Sequence, residues 1–223
     1  MCGRFTVATD PAELSERFDV VLPEGWAPSY NVAPTQPVLG VVRGRDAVRE
    51  LRELRFGLVP HWAKDTRSSF SLINARAETV RTRSAFRSLL EQRRALIVAD
   101  GFYEWRTDPD GRKRPVRFTL ADGGPFAFAG LWASWRDPET DTWLDSCTII
   151  TTSANELVAS VHDRMPVILP REREVDWLDP SLAPDEVDAL LRPYPEDAMA
   201  AAEASTLVNS PKNDGPELLD PLL

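Results

Sequence analysis

Apolar positions in this chain cluster in short runs, and prolines interrupt them from end to end. Pro11–Phe18 reads as a short helix started by Asp10. Leu54, Phe56 and Leu58 alternate as a strand does and run up to Pro60. Ser84–Arg94 fits a helix with Phe86, Leu89 and Leu90 on one face. Residues 95–99, 116–120, 126–132 and 144–152 are rich in β-branched and aromatic side chains and read as strands. Ser153-Ala154-Asn155-Glu156 has the form of a capping box and predicts a helix directly after the strand ending at Thr152. Pro184–Leu191, with Asp185 and Glu186 in its first turn, is a further short helix. Strands mixed irregularly with short helices predict an α+β fold rather than a regular alternation of strand and helix. No repeat and no low-complexity linker divides the chain. The expectation is a single domain over residues 1–223, with the acidic C-terminal part 171–223 packed as part of it.

Composition narrows the class. With 43% hydrophobic and 27% charged residues, 223 residues can bury one core without disulfide staples. The longest apolar run, Phe126–Trp135, falls short of the ~20 residues that cross a bilayer. No leader pattern opens the chain, and a cytoplasmic protein is expected. Two cysteines, Cys2 and Cys147, and two histidines are scattered without ligand spacing, so neither a disulfide framework nor a metal site is expected.

The net charge of −9 is uneven. Residues 171–223 hold 4 basic and 13 acidic residues, which accounts for all of it. Arg43–Arg117 holds 18 basic and 10 acidic residues, nearly all the basic ones arginine. Such a stretch suits phosphate contacts, and it equally suits an ordinary solvated face.

The sharpest chemistry stands at the start, Met1-Cys2-Gly3-Arg4-Phe5. A small second residue generally allows removal of the initiator methionine, which would leave Cys2 with a free α-amine beside its thiol. The amine titrates near ~8 and the thiol near ~8.5, so both are usable at neutral pH. An aldehyde meeting this aminothiol forms an imine, which the thiol closes to a five-membered thiazolidine. The same group can attack a carbonyl with its own amine as base; an inert, buried cysteine is the plain alternative. Three further segments carry reactive side chains. Leu72–Thr79 contains Asn74, Arg76 and Glu78. Asp100–Trp105 sets Glu104 between aromatics, where desolvation would raise its pKa and favour proton donation. Val161–Pro166 contains His162. Each of these alone also fits a structural role.

Together, in order, Met1–Phe5, Tyr30–Pro34, Gly57–Ala63, Ile73–Thr79, Gly101–Trp105 and Val161–Pro166 resemble the SRAP, or SOS response-associated peptidase, family, whose members process abasic sites. The resemblance extends to the tail segment Val208–Asn213, essentially the whole chain. It implies strands curled into a barrel-like core with short helices outside. It implies a covalent thiazolidine link between Cys2 and the aldehyde of an abasic site in single-stranded DNA, protecting the lesion during the damage response.

By the same resemblance His162 assists opening of the deoxyribose hemiacetal. Glu104 shuttles protons, and Asn74 holds the sugar or the cysteine. Arg4, Arg76 and Arg164 match phosphate-contacting positions, Trp62 and Trp105 match aromatics beside the DNA, and Pro34 and Thr151 line the site. Neither a metal nor an organic cofactor is implied. The chain is expected to act as a monomer, associated with the nucleoid when bound to DNA. Arg81, Arg83 and Arg87 would extend the basic surface on charge alone, and the acidic tail is expected on the opposite face.

Two departures stand out. Phe56 replaces a frequent Trp, and Ala63 stands where some relatives carry a second Trp. The competing readings are a thiol (auto)peptidase using Cys2 with His162, and a non-covalent single-strand binding module. A class II glutamine amidotransferase also begins Met-Cys-Gly, but its Asn-Gly dipeptide is absent here.

Overall fold

A computed structural model describes residues 2–221 of the chain. In order, the elements are β1 (Phe5–Val7), α1 (Pro11–Phe18), β2 (Ser29–Val32), β3 (Pro37–Arg43), β4 (Arg49–Phe56), β5 (Asn74–Arg76), α2 (Arg87–Gln92), β6 (Arg94–Ala99) and β7 (Gly101–Thr107). They continue with β8 (Lys113–Leu120), β9 (Phe126–Arg136), β10 (Trp143–Ser153), α3 (Glu156–Ala159), β11 (Arg164–Pro166), β12 (Ile168–Leu169), α4 (Glu174–Leu178), α5 (Pro184–Leu190) and β13 (Met199–Glu203). Single 3-10 turns fill several of the connections.

Five strands close on themselves. β4, β3, β6, β9 and β10 pair antiparallel in that sequence. The ring is then sealed by a parallel pair, β10 on β4, with Ser146 opposite Arg55 and Cys147 opposite Phe56. Closure removes the free edges that such apolar strands would otherwise present to another chain. Inside, backbone approach is tight: a Cβ added at Gly40 would lie 2.4 Å from Leu54 Cδ1, and one at Gly130 2.5 Å from Ile97 Cγ1. The fully buried side chains of Leu54 and Ile97 thus lie over the glycine positions of the neighbouring strands.

A second sheet, ordered β13-β8-β7-β1-β2, packs on the barrel. The junction is aromatic. Phe5 sits edge-on to Phe56 at 5.5 Å and to Phe128 at 5.7 Å, and Phe102, which stacks on Phe118 within the second sheet at 5.1 Å, meets Phe128 edge-on at 6.2 Å. Strand β10 is the seam of the molecule. Past its pairing with β4 it accepts β5 along the same edge, Ile149 opposite Asn74 and Thr151 opposite Arg76. Along the other edge it accepts β9 and then β11, with Thr151 opposite Pro166. A barrel with an added sheet and short outer helices is the expected α+β architecture.

Local expectations are met where the signal is local. Helix α1 spans the expected residues, and the Asp10 carboxylate accepts from Ala12 N at 2.8 Å. The expected helix over 84–94 shrinks to 87–92, because Arg94 begins a strand that is buried throughout between β3 and β9. The expected cap at Ser153 moves to Asn155. Ser153 remains paired with Arg164 in the sheet, while the Asn155 side chain accepts from Val158 N at 2.9 Å. The strand expected over 54–58 starts at Arg49 and ends at Phe56, since Gly57 turns the chain at φ 118 against the Ser69 carbonyl.

Candidate active site

The N-terminal lead into β1 is held between the two sheets. Cys2 is fully buried. Its carbonyl accepts a 3.0 Å hydrogen bond from Asn74 Nδ2 on β5, which the seam strand has brought across from the barrel. Asn74 is itself buried, and its Oδ1 has no partner among the described residues. On the other side, Arg4 O accepts from Tyr103 N at 3.0 Å, and Phe5 pairs with Phe102. That register sets Glu104 of β7 beside Cys2.

The electrostatics follow from burial. Desolvation pushes the Cys2 thiol far above its ordinary range, and the nearby Glu104 charge adds to the push. Glu104, 3% exposed, is likewise raised above the ordinary carboxylate range, chiefly by burial, with the charge of His162 pulling the other way. Burial thus acts in the same sense on both groups, against the charged form. His162 stands in the turn between α3 and β11. Its Nδ1 lies 3.0 Å from Arg164 N, a bond that Nδ1 accepts when it is unprotonated. The same Nδ1 lies 3.0 Å from Asp163 Oδ1, which becomes its acceptor when the ring is charged.

Glu104 and His162 open into a cleft of about 540 Å³, lined also by Arg4, Trp105, Lys113 and Asn209. Arg4 is partly committed: Nη1 donates to Asn31 Oδ1 and to Val208 O, each at 2.7 Å, and the guanidinium lies 5.8 Å from the Trp105 ring centre. The structure thus gathers Cys2, Asn74, Glu104, His162, Arg4 and Trp105.

The other expected residues lie outside this lining. Arg76 is exposed, its carbonyl accepts from Thr79 N at 3.1 Å, and its guanidinium makes no hydrogen bond or ion pair among the described residues. Thr151 is buried, and its carbonyl accepts from Ala77 N at 2.9 Å and from Arg164 Nη2 at 2.7 Å. Arg164 is held by Glu78 in a two-pronged pair at 2.5 and 2.9 Å. Pro34 is half-buried in the turn from β2 to β3. Trp62 projects from the 57–73 loop at 58% exposure, and Phe70 of the same loop is 66% exposed.

Two expectations about charge are corrected. Arg81 does not extend a free basic surface, because it binds Asp188 at 2.7 Å and the Pro184 carbonyl. The acidic tail does not lie wholly on the opposite face: Val208 packs with Ala204 against Tyr103, and Asn209 lines the cleft. The cause is Asn31, whose buried amide holds three carbonyls of that segment. Sequence reasoning assigned no role to Lys113, Asn209, Asn31 or Glu78. Three of them sit inside the quoted motifs, while Lys113 was hidden in a run of like charges.

Comparison with known proteins agrees with this arrangement. The family model for SOS response associated peptidase (SRAP) matches residues 1–211. The chain is 47% identical over 224 residues to the Bacillus subtilis protein named abasic site processing protein YoqW, covering 99% of each. It is 34% identical to chicken abasic site processing protein HMCES, over 88% of this chain and 67% of that one. A crystal structure of a Bacteroides thetaiotaomicron protein superposes with a TM-score of 0.89 at 25% identity, each chain covered in full. The motifs, the fold and the overall similarity converge, and the chain belongs to the SOS response-associated peptidase family.

Proposed function

We propose that this chain captures abasic sites in single-stranded DNA by forming a thiazolidine cross-link through Cys2 after removal of Met1. The observation that carries the reading is the placement of Cys2. Asn74 holds its carbonyl, the Glu104 carboxyl acts on its thiol electrostatically, and Glu104 and His162 line a cleft together with an arginine and a tryptophan. The names of its relatives as abasic site processing proteins support the substrate.

Every proton in the chemistry can be followed. His162, in its imidazolium form, gives its Nε2 proton to the ring oxygen as the C1′–O4′ bond breaks, and the proton released by the C1′ hydroxyl returns to Nε2 through solvent, leaving the aldehyde and a restored His162. The Cys2 amine adds to C1′. Protonated Glu104 then delivers its proton to the new hydroxyl, which departs as water and leaves an iminium. The Cys2 thiol passes its proton to the Glu104 carboxylate as sulfur bonds C1′, and the iminium nitrogen keeps the electron pair. The sum is aldehyde plus aminothiol giving thiazolidine plus one water, with Glu104 restored.

A buried, neutral thiol suits this second, intramolecular role. It is poorly suited to the opening thiolate attack of a peptidase. Arg4 and Arg76 would contact phosphate, and Trp62 and Trp105 would stack on bases. Arg164 joins them on release from Glu78, with Pro34 and Thr151 shaping the surround.

The test is incubation with a single-stranded oligonucleotide carrying one abasic site, followed by a denaturing gel and intact mass spectrometry. The expected product is a heat-stable adduct whose protein part lacks Met1. In Cys2→Ala only a borohydride-trappable imine should remain. Absence of any adduct from Met1-processed protein would overturn the reading.

A further inference from the structure

The Trp105 indole N–H donates to Asn209 Oδ1 across 2.6 Å. The segment bearing Asn209 is fastened with unusual care for a chain terminus. Asn31 Nδ2 reaches Val208 O, Ser210 O and Asn213 O at 3.2, 3.0 and 2.8 Å. Asn213 Nδ2 in turn donates to Leu207 O at 2.8 Å. The Asp214 carboxylate accepts from Tyr30 N at 2.5 Å and from Ser29 Oγ at 3.0 Å. Arg4 closes the set by donating to Val208 O. Val208 is wholly buried against the sheet. The result is a strap tied to the first two strands, and Asn209 is its contribution to the cleft lining.

Trp105 needs such a partner. It sits partly exposed towards the end of β7, where a tryptophan's second side-chain torsion has broad, shallow preferences. Arg4 lies near one face of the ring but cannot fix its rotation in plane. A hydrogen bond to the ring edge can. A ring already oriented loses less freedom when a base stacks on it.

We propose that Asn209 is a positioning residue for DNA capture: it presets the Trp105 ring as a stacking surface for a base next to the lesion. The inference rests on the reading of this chain as a single-strand binder. It assigns to the acidic C-terminal part a function in the site.

The test is single-turnover cross-linking to an abasic single strand as a function of DNA concentration, for Asn209→Ala, Trp105→Phe and the double variant. Trp105→Phe keeps a stacking ring and breaks the same bond from its other end, so the question survives a misfolded Asn209→Ala. Each single variant should raise the half-saturating DNA concentration about threefold to tenfold, as loss of one hydrogen bond implies. The plateau rate constant should stay within about twofold, because the bond acts on binding. The double variant should bind no worse than the weaker single one, since the two residues act through one contact. Additive losses, a loss confined to the plateau, or no effect of either substitution overturns the proposal. If the native, Met1-processed chain itself neither binds nor cross-links, the functional reading has failed and the positioning role falls with it.

Discussion

The side-chain amide of Asn74 and the main-chain carbonyl of Cys2 are joined by a 3.0 Å hydrogen bond between the barrel's seam and the first residues of the second sheet. Asn74→Ala leaves that buried carbonyl without its donor, a loss of about 1–3 kcal/mol. On the proposed chemistry the bond acts on the nucleophile and not on the DNA. The cross-linking rate at saturating DNA should therefore fall about tenfold while affinity for an undamaged single strand is unchanged. Single-turnover gels and fluorescence anisotropy separate the two; a variant that loses affinity instead would show that Asn74 acts on the strand.

Glu104 should trade stability for reactivity. Its carboxyl is raised above the ordinary range, mainly by burial. A group of this kind contributes stability that is fully present below its unfolded pKa, near ~4.3, and is lost as pH rises through the raised folded value. Glu104→Gln cannot ionise and escapes that loss. Its melting temperature should match the native chain near pH ~4 and exceed it increasingly towards pH ~8, while cross-linking drops by about two orders of magnitude. A melting difference independent of pH would contradict the assignment.

Both cysteines are fully buried, and burial holds both thiols well above their usual range. Native protein should resist a thiol-labelling reagent at pH ~8 for long after a denatured sample is fully labelled. Mass spectrometry counts the labels. Rapid labelling of Cys2 in native protein would mean that the thiol, not the amine, is placed to react first.

Lys113 and Glu78 should act on DNA affinity in opposite directions. Lys113 lines the cleft with no ion pair among the described residues, so Lys113→Ala should weaken single-strand binding and lower the salt slope by about 0.7. Glu78 occupies both terminal nitrogens of Arg164. Glu78→Ala releases them for phosphate and should tighten binding about twofold to fivefold, with a steeper salt dependence. Titrations at several salt concentrations give both numbers; weaker binding by Glu78→Ala would mark the pair as purely structural.

The legible parts of this molecule are those whose causes lie close in sequence. Asp10 caps its own helix two residues on, and the runs 95–99 and 126–132 are apolar enough to be strands in any context. Strand β3 went unread because residues 38–42 are buried on both faces of the strand, which leaves no alternation of apolar and polar positions to read. The candidate residues Cys2, Asn74, Glu104 and His162 were named through chemistry and resemblance, yet their fastening was not. Asn31 meets carbonyls 177 to 182 positions away, and no local pattern encodes such a reach. The positive excess of Arg43–Arg117 left two readings open for the same reason: Arg52, Arg81, Arg106, Arg114 and Arg117 each find a carboxylate in the fold.

The seam strand also sets a schedule for synthesis. Asn74 reaches Cys2 only when β5 lies along residues 149–151 of β10. At about 5–20 residues per second, those residues leave the ribosome several seconds to half a minute after Cys2 does. Throughout that interval the amino terminus has no shelter from cellular aldehydes. Methionine that stays in place until the barrel closes would act as a chemical blocking group on the nascent chain, and the timing of its removal would decide how much protein is born already spent.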